Sequence, residues 1–239
     1  MQTERIIRRK LSDEVLDRLL RLISEGGLKP GDAMPSEREL MERFGVGRPA
    51  IREAMQLLAS MGLVSISHGE RARVKELTAQ SIIRQVDQPA HIMLQRSSDS
   101  LEHLKSARLF FERGMVREAA VRATPEDVAK LRAIIAEQRQ LLGKAQEFMA
   151  ADMRFHIEIA AISGNPIFVS VSEAMLGWLK AYHTELLLWS GKENFTLAEH
   201  AEIMDAIEKG DGDAAEKAMV KHLERSSGLY TSPPHLTRA

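Results

Sequence analysis

Apolar positions along the first 75 residues recur mostly at helical spacing. Leu11, Val15, Leu19 and Leu22 form one such run, with Ser12 placed to cap it and Gly26-Gly27 to end it. Lys29-Pro30-Gly31-Asp32 reads as a turn. Ser36 and Glu39 make an S-x-x-E capping box, so a second helix should start there and point Leu40, Met41 and Phe44 inward. Gly45-Val46-Gly47 is a tight turn. A third helix is predicted from about Arg48 to Met61, with Ile51, Met55 and Leu58 facing the core and Gly62 closing it. Leu63 to Ile66 and Ala72 to Val74 are short β-like runs, joined by a turn at His68-Gly69-Glu70-Arg71. Two short helices around a glycine turn, followed by a hairpin, predict a winged helix-turn-helix over residues 1–75.

The rest of the chain carries helical patterns alone. Thr78 to Gln95 is a helix or helical linker that Gln88-Pro89 should interrupt, and Arg96 to Ser100 is a polar break. Residues 76–99 therefore read as a linker. Helices are predicted at Leu101–Arg122, from Pro125 to about Leu142, and from about Ala145 to Ile162, the last ending at Ser163-Gly164-Asn165-Pro166. Three more are predicted at Ile167–Ser190, Leu197–Lys209 and Gly212–Gly228. Trp178 and Trp189 are expected as packing anchors, and Met115, Met149 and Met175 as core filler. The fold class is mostly α: a winged head and a bundle of six or seven helices over residues 100–229. Residues 230–239, with Ser232-Pro233-Pro234, form an expected frayed tail.

Composition narrows the chemistry. The 239 residues contain no cysteine, which excludes disulfides, thiolate metal sites and cysteine nucleophiles. No apolar run approaches the roughly 20 residues of a bilayer span. Met1 to Lys10 is charged and lacks the apolar centre of a secretory signal, so a cytoplasmic protein with no membrane partner is expected. Net charge is −1 overall, yet residues 1–75 hold 14 basic and 11 acidic side chains, leaving the remainder net −4. A basic head on an acidic body fits a nucleic-acid reader joined to a second module.

Arginine placement in the head sharpens that reading. Arg48 and Arg52 lie one turn apart at the start of the helix that would enter the major groove, where a guanidinium pairs with guanine O6 and N7. Arg38 starts the preceding helix, within reach of a phosphate or base edge. His68 and Gly69 at the wing tip could approach the minor groove. Taken singly, each of these arginines could instead be a solvated helix residue.

In the body, Asp152 and His156 are four apart and share one helix face, while His200 and His222 sit on the last two helices. One carboxylate and three imidazoles form a donor set suited to Zn²⁺, Ni²⁺ or Mn²⁺. Spacing alone leaves packed or exposed helical histidines as the alternative. Arg108 either enters a pocket, where it could pair bidentately with a carboxylate, or pairs with Glu112 one turn on. Asn165 is a pocket donor or a turn residue before Pro166. His91, His103, His183 and His235 have no comparable context.

The run Met34-Pro35-Ser36-Glu37-Arg38-Glu39-Leu40, continued by Gly45-Val46-Gly47-Arg48-Pro49-Ala50-Ile51-Arg52-Glu53-Ala54, resembles the DNA-binding head of GntR-family bacterial regulators. The resemblance implies DNA contacts at Arg38, Arg48, Arg52, His68 and Gly69. Gly47 and Pro49 stand where many members have Ser or Thr, so those hydroxyl contacts to phosphate are missing. Asp152-Met153-Arg154-Phe155-His156, Ser163-Gly164-Asn165-Pro166, His200 and His222 are similar to the effector domain of the FadR-type branch. That likeness implies a divalent metal, zinc first, with nickel or manganese possible, held by Asp152, His156, His200 and His222. It also implies a small-molecule pocket above the metal with Arg108 directed into it; Asn165 is the other candidate effector contact. Members that respond to acyl-CoA lack these ligands. Gly69 to Val74, Arg108 to Glu112 and Gly164 to Phe168 resemble the branch that controls sialic-acid catabolism, which implies sialic acid or another sugar acid as effector.

The expected function is a homodimeric repressor that reads a palindromic double-stranded DNA operator and is released by a small carboxylate. A metal-dependent enzyme is the competing class, but no general base stands beside the four ligands in the sequence pattern. An architectural DNA-binding protein without an effector is a third reading.

Overall fold

The computed structural model describes residues 9–67, 69–94, 96, 99–180 and 192–227. His68, His183, Trp189, His235 and the 230–239 tail lie outside the described residues. The chain divides into two compact units, residues 1–85 and 86–239.

The first unit begins with α1 (Leu11–Ser24), α2 (Glu37–Phe44) and α3 (Arg48–Ser60). Ser12 does not cap α1. Lys10 is the extended residue ahead of the helix, its carbonyl accepts from Asp13 and Glu14, and Ser12 is buried as the second residue of the helix. The α2 box forms as predicted: the Ser36 side chain accepts from the Glu39 N–H, and the Glu39 carboxylate accepts from the Ser36 N–H at 2.6 Å. Gly45 ends α2 at φ +66°, a left-handed conformation that an L side chain resists. This turn sets the angle between α2 and α3. Strands β1 (Val64–Ser65) and β2 (Arg73–Val74) pair antiparallel, Val64 opposite Val74. Residues 31–34 run along the outer edge of β2, the Met34 N–H donating to the Ala72 carbonyl at 2.7 Å. Val15, Leu19, Leu40, Ile51, Leu58 and Val74 fill the core between helices and wing.

Helix α4 (Ala79–Leu94) crosses the division between units. Thr78 and Ser81 exchange side-chain hydrogen bonds with each other's backbone N–H at its start. Pro89 was expected to interrupt this helix and instead sits inside it. A proline withholds only its own N–H and crowds one carbonyl, so residues on both sides can keep the helical path.

The second unit contains α5 (Ser100–Arg122), α6 (Pro125–Gln140), α7 (Ala145–Ala161), α8 (Pro166–Lys180), α9 (Lys192–Glu208) and α10 (Gly212–Ser227). Thr124 and Asp127 form a second capping box at α6. Helix α9 begins five residues before the predicted Leu197, because Asn194 and Phe195 are exposed and the apolar pattern starts only one turn in. Val116, Leu131, Phe155, Ile159, Ile203, Ile207 and Met219 form the main core, one contribution or more from five of the helices. A smaller cluster joins Leu94, Leu101, Leu104, Met175 and Leu179, with Trp178 packed against it and its indole N–H donating to Asp87 at 2.7 Å. Among the described residues, no helix is long and apolar enough to cross a membrane.

Leu131 is completely buried at the centre of the main core. Leu131→Ala should therefore lower the stability of the helical unit by about 2–5 kcal/mol, read from the urea midpoint of its far-UV circular dichroism. A loss below about 1 kcal/mol would mean the site collapses around the smaller side chain.

Candidate functional site

The arginine face of the first unit is organised by acidic neighbours. Arg48 and Arg52 are exposed on the first turns of α3, and both direct Nε at Glu37 of α2, at 3.5 and 2.8 Å. Arg38 pairs with Glu42 on its own helix at 2.9 Å. Gly47 leads into α3 with no side-chain cap, and Pro49 occupies its first turn. Gly69 takes φ +79° at the wing turn, with open space where a Cβ would stand, so conformation and not crowding calls for glycine. Glu37, Met55, Gly69 and Arg71 line one groove of 360 Å³, which places the start of α2 and the wing on the same side of the unit. The structure thus brings Arg48, Arg52 and Gly69 to one side of the unit through Glu37, while Arg38 is exposed on α2 beside Glu42. Glu37 has no counterpart among the sequence-derived candidates, since its partners lie 11 and 15 residues away.

In the second unit, α7, α9 and α10 bring four side chains to one point. Ligand atoms of Asp152, His156, His200 and His222 all lie within 4.8 Å of one another. Among the described residues this is the one group of its kind. Asp152 lies 3.4 Å from His200 Nε2 and 3.9 Å from His156 Nε2. The three imidazoles are buried, while Asp152 keeps 19 % of its side chain exposed and is the accessible member.

Each ring has an oxygen at its other nitrogen. His200 Nδ1 donates to the Gln138 side-chain oxygen at 2.9 Å, and His222 Nδ1 donates to Glu199 at 2.9 Å. His156 Nδ1 contacts the Glu112 carboxylate. In a neutral ring, a proton held at Nδ1 leaves Nε2 as a lone pair, which is how metal-ligating histidines are oriented. Nε2 of His156 and of His200 is buried without a hydrogen-bond partner. A buried polar atom left this way is costly, and a cation at the cluster would satisfy both. The donor set and its second partners therefore fit a divalent metal.

Acidic neighbours are themselves anchored. Arg108 donates from Nε to Glu112 at 2.5 Å, and both side chains are buried. The i,i+4 alternative for Arg108 is thus realised, and it connects Arg108 through Glu112 to His156. Burial alone would raise Glu112, but Arg108 and His156 more than offset it and hold the carboxyl at about 2. Burial likewise opposes ionisation of Glu199, and hydrogen bonds from His222 and Arg225 bring it down to about 2. Burial, reinforced by the neighbouring cations, pushes His200 well below the ordinary histidine range. Burial also lowers His222, against the opposing pull of Glu199.

A cavity of 310 Å³ opens between α5, α8 and α10, lined by Lys105, Arg108, Leu109, Leu179, Leu223 and Ser226 among others. None of the four clustered ligands lines it; the connection runs through Arg108 and Glu112. Asn165 lies elsewhere, at the start of α8, where its side-chain oxygen accepts from the Ile167 N–H at 2.9 Å in a local cap. His91 on α4 and His103 on α5 join no such group. Gln138 and Glu199 had not been singled out. Gln138 sits 62 residues from His200 and carries no sequence signal, whereas Glu199 stands beside His200 and could have been suspected.

These shifts predict acid sensitivity. Unfolded histidine titrates near 6.5, so below that pH the unfolded chain binds protons that buried His200 and His222 refuse, and stability falls. Glu112 and Glu199 contribute stability that is full above 4.5 and lost as pH falls toward 2. All four act in the same direction. Metal-free protein should lose about 1.4 kcal/mol per pH unit for each excluded histidine proton between pH 6.5 and about 5, measured by urea unfolding. A midpoint that holds or rises over that range would contradict the neutral-imidazole assignment.

Comparison with known proteins agrees with both halves. Residues 11–74 match the family "Bacterial regulatory proteins, gntR family", and residues 103–225 match the FCD domain. The "HTH-type transcriptional repressor NanR" of Cronobacter sakazakii is 40 % identical over 223 residues, covering 91 % of this chain and 84 % of that one. Its namesake in Escherichia coli K12 is 37 % identical over 232 residues, covering 96 % and 88 %. A solved structure of Streptococcus agalactiae GntR shares the fold, with a TM-score of 0.64 at 24 % identity over 91 % of this chain and 99 % of that one. Relatives at this coverage are regulators and not enzymes, and the chain belongs to the gntR family of bacterial regulatory proteins, with an FCD domain as its helical unit.

Proposed function

We propose that the protein is a transcriptional repressor of a sugar-acid catabolic operon, released from a palindromic operator by a small carboxylate that binds at a metal-containing pocket. The convergence of Asp152 with three imidazoles, each Nδ1 facing an oxygen, carries this reading. Asp152, His156, His200 and His222 would hold a divalent metal, zinc first by this donor set, with nickel or manganese as alternatives. Such an ion supplies a Lewis-acidic position for an oxygen ligand. Partial exposure at Asp152 leaves the approach to it open.

Arg108 and Lys105 line the neighbouring cavity together with Glu102 and Glu224, and Lys105 pairs with Glu102 at 2.8 Å, so the Arg108 guanidinium is the group that a carboxylate would engage there. Arg108 also touches Glu112, so an anion arriving at Arg108 competes for the guanidinium and alters the hold on His156. Release of DNA then requires that the carboxylate bind more tightly to the DNA-free arrangement than to the DNA-bound one. On the DNA side, Arg48 and Arg52 read base edges, Arg38 reaches a phosphate or a base edge, the wing at His68 and Gly69 approaches the minor groove, and two copies read the two half-sites. The relatives named transcriptional repressors support the sign of regulation. Sialic acid is the first effector to test, because the motif resemblance points to it.

Thermal midpoints with a panel of sugar acids, in metal-replete and chelator-stripped protein, test the pocket. At 100 times its dissociation constant a ligand adds about 2.7 kcal/mol, which for a chain of this size is several degrees. The expected result is a shift with one acid that disappears after stripping. No shift with any acid despite bound metal would overturn the effector reading. His200→Ala should bring bound metal well below one per chain by elemental analysis; stoichiometric metal in that variant would remove His200 from the ligand set.

A further inference from the structure

We propose that Glu37 is a positioning residue that gives the DNA-reading arginines their discrimination. This rests on the assignment of Arg48 and Arg52 to base reading. Glu37 opens α2, where the helix dipole favours a carboxylate, and its two oxygens are divided between the arginines of α3: Oε1 faces Arg52 and Oε2 faces Arg48. In both contacts the arginine presents Nε, the inner nitrogen of the guanidinium. The outer Nη edge of each fork is the edge that pairs with guanine O6 and N7. One anion thus hydrogen-bonds the Arg52 fork and draws the Arg48 fork by charge, and in each the Nη nitrogens are not the atoms engaged in that contact.

The charge balance matters as much as the aim. A loose arginine neutralises any phosphate it meets and carries no sequence information. Glu37 cancels one of the two positive charges at the tip of α3 and tethers both side chains. Leaving the tether for an arbitrary phosphate breaks an existing pair, whereas keeping it costs a matching guanine nothing. Arg38 provides the contrast. Its partner Glu42 is a single i,i+4 neighbour on the same helix and restrains no residue of α3.

The test uses full-length protein and two duplexes: one enriched by in vitro selection on the wild type, and one of the same composition with shuffled sequence. Glu37→Gln keeps the shape and removes the charge. It should raise affinity for the shuffled duplex roughly three- to ten-fold and steepen its salt dependence by about one or two counterions. The ratio of enriched to shuffled affinity should fall about tenfold. Glu42→Gln should leave that ratio within about twofold, since a charge lost near DNA acts on both duplexes alike. If Glu37→Gln lowers the thermal midpoint, Glu37→Asp, which keeps the charge but is too short to span both arginines, is read in the same assay; the ratio of enriched to shuffled affinity should again fall, with the salt slope unchanged. An unchanged ratio and salt slope, with Arg52→Ala still abolishing preference for the enriched duplex, overturns the role of Glu37 alone. If Arg52→Ala leaves that preference intact, or selection enriches nothing, the base-reading assignment falls and this inference with it.

Discussion

Three imidazoles buried against one another govern the architecture of the helical unit. Ring centroids of His156, His200 and His222 are separated by 4.8 to 5.5 Å, in a region where charge is expensive. Like-charged neighbours at that spacing add to the desolvation that already lowers His200 and His222. The helices must therefore supply an oxygen for every Nδ1, and they do so from three different elements: Glu112 on α5, Gln138 on α6 and Glu199 on α9. Packing of Phe155 against His200 at 4.1 Å between centroids ties the same cluster to the apolar core. Position and tautomer of the rings are thus set by most of the bundle at once.

The same requirement extends outward. Glu112 and Glu199 are buried acids, and each remains ionised because an arginine and a histidine stand against it, Arg108 with His156 in one case and His222 with Arg225 in the other. Arg225 also donates to Thr196 at 2.9 Å, tying α10 to α9. Buried pairs of this kind contribute little net stability compared with apolar packing, but breaking one member leaves an isolated charge. That asymmetry gives the cluster a single well-defined arrangement. It also means that anything that draws on Arg108 from the adjacent cavity is felt at His156 through one intervening carboxylate.

In the DNA-reading unit the corresponding constraint is a turn. The capping box at Ser36 and the left-handed Gly45 fix both ends of α2, and only Gly45, Val46 and Gly47 separate it from α3. With so short a connection, the first residue of α2 stands beside the first turns of α3. The Glu37 contacts with Arg48 and Arg52 are a consequence of that geometry. Local sequence signals and tertiary placement agree at α2 and α3, as expected where short helices have few other means of fixing their boundaries.

Helix periodicity, capping boxes and glycine stops made most of the elements legible in the sequence, because these are local interactions within a few residues of chain. The fold class, the winged head and the pairing of Asp152 with His156 on one face followed from the same rules. Misreadings arose where a local rule met a competing one. Ser12 had the chemistry of a cap but lay two residues past the cap position, and Pro89 was tolerated within a helix that its ring was expected to break. His200 and His222 formed a weak donor set with Asp152 and His156 by residue type, and the family likeness favoured it over packed histidines, since nothing in their spacing brings them to Asp152. Gln138, Glu199 and the Glu37 bridge depended on how helices pack, and side chains 11 to 62 residues apart meet only when crossing angles and registers are set together. Sequence by itself determined which segments are helical and which faces are apolar, through short-range hydrogen bonding and periodic burial. Only the tertiary structure decided which polar groups would meet in the interior, because those partners are chosen by the packing of whole helices and by the cost of leaving a buried group unpaired.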